Sequence, residues 1–178
     1  MCALFLASCA GTYYGGYRFD PRPTEVVLEV PGAQDLPRAL FRVAGVRRAD
    51  ADAGRGPELV VDVRLENPGE SELVLERDAL TVVSGNLTEL GPMRQEPAGP
   101  LVAPPGEARK FQLSFALPAG STPGDLELDG MNLRWALSNA KARATGSISF
   151  ARIDPYDDPY WPRGYGGYAF GGYGWICY

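Results

Sequence analysis

Apolar and polar residues alternate with a period of two along much of the middle of the chain. The clearest run is Glu58 to Glu66. There Leu59, Val61, Val63 and Leu65 fall on one face, and Val60, Asp62, Arg64 and Glu66 on the other. Side chains of a strand point to alternate sides, so this set places one face against a core and one in water. Lys110 to Leu117 repeats the pattern, with Phe111, Leu113, Phe115 and Leu117 directed inward. Leu133, Trp135 and Leu137 alternate with Asn132, Arg134 and Ala136. Gly146, Ile148 and Phe150 alternate with Ser147, Ser149 and Ala151. Less regular strands are predicted over Glu25–Val30, Ala39–Arg47, Leu73–Leu75 and Leu80–Ser84.

Turn chemistry separates these runs. Asn67-Pro68-Gly69, Pro104-Pro105-Gly106 and Thr122-Pro123-Gly124-Asp125 each combine a proline that presets φ with a glycine that tolerates positive φ. No convincing helix of ten residues is present. The fold class read from this pattern is all-β: an immunoglobulin-like β-sandwich of seven or eight antiparallel strands over residues 22–154, with a small barrel as the alternative.

Composition narrows the function. The 22 glycines and 16 prolines among 178 residues argue against a helical bundle, and the 45% hydrophobic content is enough for a core. A net charge of −5 makes a nucleic-acid partner improbable. The chain has no histidine, which removes Ser-His-Asp and Cys-His catalysis and the commonest zinc ligand. No cofactor is implied.

The aromatic residues are segregated. Phe41, Phe111, Phe115, Phe150 and Trp135 sit in the predicted strands, whereas all nine tyrosines lie outside residues 22–154. The ends repeat one phrase: Tyr14-Gly-Gly-Tyr17, Tyr165-Gly-Gly-Tyr168 and Phe170-Gly-Gly-Tyr173. Glycine has the largest ordering entropy and offers no side chain to pack. Residues 155–178 are therefore read as a flexible Gly/Tyr-rich tail. Tyrosine, apolar at one end and polar at the other, suits interfaces, and Tyr13, Tyr14 and Tyr17 are candidates for contact at a membrane surface.

The chain begins Met1-Cys2-Ala3-Leu4-Phe5-Leu6-Ala7-Ser8-Cys9. Leu6-Ala7-Ser8-Cys9 resembles the lipobox of bacterial lipoproteins, in which small residues admit a peptidase and the following cysteine is lipidated. The resemblance implies that residues 1–8 are the remnant of a signal peptide, that Cys9 carries the acyl chains, and that residues 9–21 form a lipid-anchored linker. The first positive charge is Arg18 and the apolar run is short, so the recorded start is read as lying too late. With about 0.8 kcal/mol per buried CH₂, two or three acyl chains make a stable tether. In Gram-negative lipoproteins an Asp after the lipid cysteine favours inner-membrane retention; Ala10 stands there, which implies the outer membrane, facing the periplasm. A disulfide between Cys9 and Cys177 is the alternative fate of the two cysteines.

Glu58 to Pro68, then Leu73-Val-Leu-Glu and Leu80-Thr-Val-Val, then Pro105-Gly106-Glu107 before a strand, resemble the immunoglobulin-like domains of WHy-type late-embryogenesis proteins and the telokin-like domains of bacterial lipoproteins. The similarity spans about residues 40–117. It implies a binding or protective module and carries no catalytic residues.

Other candidate chemistry is thin. Asp154, Asp157 and Asp158 cluster, but their spacing matches no calcium loop, and they are read as solvated linker charges. Cys177 has no histidine to activate it. Asn86-Leu87-Thr88 matches a glycosylation sequon that bacterial export makes irrelevant. No catalytic and no metal-ligating residue is assigned. The expected function is a non-catalytic envelope lipoprotein, bound to the membrane through Cys9 and to an envelope protein or glycan through its sandwich. A stress-protective module and a carboxylate-based hydrolase are the alternatives.

Overall fold

The structure is a computed structural model and describes residues 13, 14, 16–21 and 23–153. Twelve strands follow in chain order: β1 (Arg18–Asp20), β2 (Thr24–Val27), β3 (Arg38–Arg47), β4 (Glu58–Glu66), β5 (Leu73–Leu75), β6 (Thr81–Ser84), β7 (Glu89–Leu90), β8 (Met93–Glu96), β9 (Val102–Ala103), β10 (Ala108–Ala116), β11 (Gly130–Ser138) and β12 (Arg143–Ile153). Among the described residues the only helical turn is the 3-10 turn Arg77–Ala79. Every strand pair is antiparallel. A five-stranded sheet runs β2-β3-β4-β10-β8, and a seven-stranded sheet runs β1-β12-β11-β5-β9, with β6 beside β11 and β7 beside β6. The sheets stack as an immunoglobulin-like sandwich whose edges stay open, so it is not a closed barrel.

The predicted inner positions meet between the sheets. Phe41, Leu59, Leu65, Leu113, Phe115, Leu133 and Leu137 are fully buried there, and Phe111, Trp135 and Phe150 join them. The eight predicted strands are all present. The four additional ones, β1, β7, β8 and β9, have two to four residues each, too few for a period of two to register.

Two neighbouring turns close one end. The Asn67 backbone N–H donates to the Glu107 carbonyl at 2.9 Å, so the Asn-Pro and Pro-Gly-Glu turns lie side by side. The buried Asn67 amide donates to the carbonyls of Ser71 and Ala103, each at 2.8 Å, and its Oδ1 accepts from the Gly69 N–H at 3.1 Å. One side chain thus joins β4, the following turn and β9.

The sandwich starts earlier than the predicted boundary at residue 22. β1 pairs with β12, Phe19 is fully buried, and the preceding tyrosines pack on the domain. The Tyr14 N–H donates to the Val46 carbonyl at 2.8 Å, and Tyr13 bridges Arg47. This extends the ladder along β3 beyond the reach of β2, which covers only Arg38 to Phe41. The chain then crosses to the other sheet as β1 and returns as β2. It covers stretches of both sheet edges, a common protection against strand-to-strand association.

Candidate functional site

An open concavity of about 900 Å³ lies on the outer face of the seven-stranded sheet. Its floor follows from strand register. Val83, Asn132 and Ser149 form one cross-strand row, and Gly130, Ala151 and Asp20 lie in the next row. These are small or uncharged residues except Asp20. The Asn132 amide donates to the Ser149 hydroxyl at 3.2 Å, leaving a flat floor. Pro21 borders one side and Leu87 the other.

Leu87 is the unusual member. It is 85% exposed, and its φ of 64° lies in the left-handed region, where a leucine is a steric outlier. The surrounding turn holds it there. The Leu87 N–H donates to the Ser84 carbonyl at 2.9 Å, and the Ser84 N–H donates to the Thr88 carbonyl at 2.9 Å. Asn86 Oδ1 accepts from the Thr88 N–H at 3.2 Å, while its amide donates to the Asp125 carbonyl at 3.2 Å. The Asp125 carboxylate in turn accepts from the Thr122 N–H and hydroxyl, each at 2.7 Å, which lowers its pKa below the ordinary carboxylate value. Gly85 is required for the close approach: a Cβ there would sit 2.5 Å from the Glu127 carbonyl oxygen. The sequon residue Asn86 is therefore a turn brace. The sequence signal for this site was present in Ser84-Gly-Asn-Leu-Thr88, where a large apolar residue occupies a position that turns give to Asn or Gly.

The outer face of the five-stranded sheet has the opposite character. Arg42 pairs with Asp62, and Arg38 with Glu66 at 2.6 Å. Glu58, only 4% exposed, pairs with Arg94 and lies 3.7 Å from Arg47. Arg47 donates to Gln112, whose amide donates to Asp62 at 3.1 Å. The Tyr13 ring packs over Gly45, where a Cβ would come within 3.2 Å of it. Gly45 sits at the β3 bulge and pairs with Val60, a nominally outward residue that is fully buried. The alternation in Glu58 to Glu66 predicted solvent on this face. The N-terminal segment removes part of it from water.

The three tyrosines assigned to interfacial contact form a cluster on the sandwich. Tyr14 and Tyr17 meet edge to face at 6.4 Å. The Arg48 guanidinium lies 5.4 Å from the Tyr14 ring and that of Arg152 4.5 Å from the Tyr17 ring, both within cation–π range. Arg152 also donates to the Gly16 carbonyl at 3.0 Å. Tyr14 and Tyr17 are partly buried against the core, and Tyr13 is the most exposed of the three. Cys9, Cys177, Asp154, Asp157, Asp158 and the Gly/Tyr-rich tail lie outside the described residues.

Two further carboxyls, like that of Asp125, have pKa values below the ordinary one. The Ala53 N–H, then Arg55, hold Asp50 down, and Arg143 holds Glu76 down. These are the environments of structural anions, whereas a general acid needs its pKa raised. Among the described residues no group of three or more metal-ligating side chains converges, and no helix is long and apolar enough to cross a membrane.

No family model and no curated protein matches the chain. Among solved structures, one similar chain is the Northeast Structural Genomics Consortium target SoR45, solved by X-ray methods. It shares 10% sequence identity over 78% of this chain and 86% of that one, with a TM-score of 0.32. That likeness carries no functional argument.

Proposed function

We propose that this chain is a non-catalytic, lipid-tethered module of the bacterial envelope that binds or scaffolds a protein through the outer face of its seven-stranded sheet. The observation that carries the binding role is Leu87, an apolar side chain held in water at a strained backbone position beside a floor of small residues whose one charged member is Asp20. Strain of this kind persists where the surrounding structure enforces it, and it clusters at contact sites. Among the described residues the lining offers Leu87, Pro21 and Val83 as apolar contacts and no exposed aromatic ring, a set suited to a protein surface.

In this reading the tether is acylated Cys9, on the periplasmic side of the outer membrane. Three residues, Ala10 to Thr12, separate it from Tyr13. They span at most about 14 Å between Cys9 and Tyr13 when extended. The end of the sandwich bearing Tyr13, Arg48 and Arg152 then lies against the bilayer. The ion-paired carboxylates of the charged face favour this binding role over a hydrolase.

Two measurements test the proposal. The mass of the native N-terminal peptide should equal that of a triacylated chain beginning at Cys9; an unmodified Cys9 peptide refutes the tether. A photo-crosslinking residue at position 87 should give a discrete protein adduct in intact cells, and the same residue at position 42 should not. Equal labelling at both positions refutes the binding face.

A further inference from the structure

The chain leaves the described sandwich beside the Leu87 concavity. β12 runs toward the Leu87 turn, places Ser149 and then Ala151 in the floor, and ends at Ile153 in the next outward row, paired with Arg18. Only β11 separates β12 from β6, whose last residue, Ser84, begins the turn that carries Leu87. The exit point and the Leu87 turn are therefore two strand spacings apart across the sheet, about 10 Å. Residues 154–178 follow from that point.

One stretch of those residues suits the concavity: Pro159-Tyr160-Trp161-Pro162-Arg163. The chain from Ile153 to Tyr160 spans up to about 25 Å when extended, enough to turn back over the floor. Tyr156 lies nearer, but Asp154, Asp157 and Asp158 surround it and Asp20 stands in the floor, so like charges oppose its seating. Arg163 is the single basic residue of 154–178 and gives the 159–163 stretch the opposite sign. Pro159 and Pro162 restrict the unseated chain, so seating costs less entropy there than in the Gly-rich residues 164–174. The floor matches the side chains. Gly130 and Ala151 leave room for a flat ring between Pro21 and Leu87, and Asn132 and Ser149 offer polar atoms to a phenol hydroxyl or an indole N–H. We propose that Tyr160 and Trp161 seat in the Leu87 concavity of their own molecule, with Arg163 toward Asp20. A short connector holds this occupant at an effective concentration of millimolar order, which favours it over a second copy. The segment then covers Leu87 until a partner displaces it. That regulatory consequence rests on the binding role proposed above; the seating itself does not.

Two readouts test the seating in the full chain with Cys2, Cys9 and Cys177 changed to Ser. In methyl NMR spectra the ring currents of the seated aromatics should displace the Leu87 methyl resonances. Tyr160→Ala combined with Trp161→Ala should return them to the position of an exposed leucine. Both substitutions lie outside the sandwich, and the remaining methyl resonances report that it is folded. A photo-crosslinking residue at position 87 should link within one molecule to a peptide containing residues 159–163. Its yield should not change on dilution and should fall about tenfold in the double variant, as loss of about 1.4 kcal/mol of contact requires. Leu87 resonances indifferent to the double variant overturn the seating. So does an adduct to a different peptide of the chain, or a yield that falls on dilution, the mark of a second copy. In intact cells the double variant should increase the partner adduct at position 87, and an equal partner adduct overturns the competition. If the intramolecular adduct forms and neither chain gives a partner adduct, the seating stands and the partner reading falls. None of these results depends on lipidation.

Discussion

The two outer faces of the sandwich are built from strands of the same kind and present opposite surfaces. On the five-stranded sheet Arg38, Arg42, Arg47 and Arg94 each meet a carboxylate across a strand boundary, and Gln112 links two of these pairs. On the seven-stranded sheet the corresponding positions are Val83, Asn132, Ser149 and Ala151, with Asp20 beside Ala151, Arg134 beside Ser147 one row further on, and Leu87 standing at the rim. Charged groups that satisfy one another repel an approaching apolar surface, since contact would strip their water without offering better partners. Small uncharged groups carry no such penalty. The same fold therefore carries a linked set of ion pairs on one face and a sparsely charged concavity on the other.

Removing the buried carboxylate should break this contrast most severely. Glu58→Ala leaves Arg47, itself mostly buried, without its anion, and should cost about 3 kcal/mol by urea denaturation. A change under about 1 kcal/mol would mean that the Gln112 contact alone supports Arg47. On the other face the sign reverses. Leu87→Gly relieves the left-handed strain and should leave stability unchanged or raise it by about 1 kcal/mol, while abolishing adduct formation at the rim when probed from a neighbouring position. A destabilised Leu87→Gly would show that Leu87 is held for packing instead.

Acid sharpens the comparison further, because the carboxyls of Asp50, Glu76 and Asp125 belong to turns and edges and not to the floor of the concavity. Asp50, Glu76 and Asp125 have pKa values depressed in the folded state from ordinary values of 3.8, 4.5 and 3.8. A depressed folded pKa stabilises above the ordinary value and is lost as pH falls through the folded one. The urea midpoint should stay level from pH 7 to about 5 and then fall through the ordinary carboxylate range and below. Glu76→Gln should reduce that slope, and an unchanged slope would remove the Arg143 pair from the explanation. The smallest effect belongs to the exposed pair on the charged face: Arg42→Ala should cost less than about 1 kcal/mol.

Much of the fold is legible in local pattern. Alternation located β4, β10, β11 and β12, and Asn67-Pro68-Gly69 marked the turn after β4. Less of the site was legible. Ser84 to Thr88 reads as a turn, yet nothing local places Leu87 beside Ser149 and Ala151, which come from a strand about sixty residues later. Tyr13, Tyr14 and Tyr17 read as a linker because glycines surround them. Their docking on the sandwich depends on a β3 edge that β2 leaves uncovered and on Gly45, whose missing side chain admits the Tyr13 ring.

Sequence by itself determined the strands, the core side of each and the turns between them, because a strand's inward and outward positions are written residue by residue as a period of two. Only the tertiary structure decided that Val60 and Glu58 are covered, and that one outer face carries a linked set of ion pairs while the other is sparse in charge. Those properties belong to pairs of strands far apart in the chain. No local periodicity encodes which residues will stand side by side once the sheets are assembled.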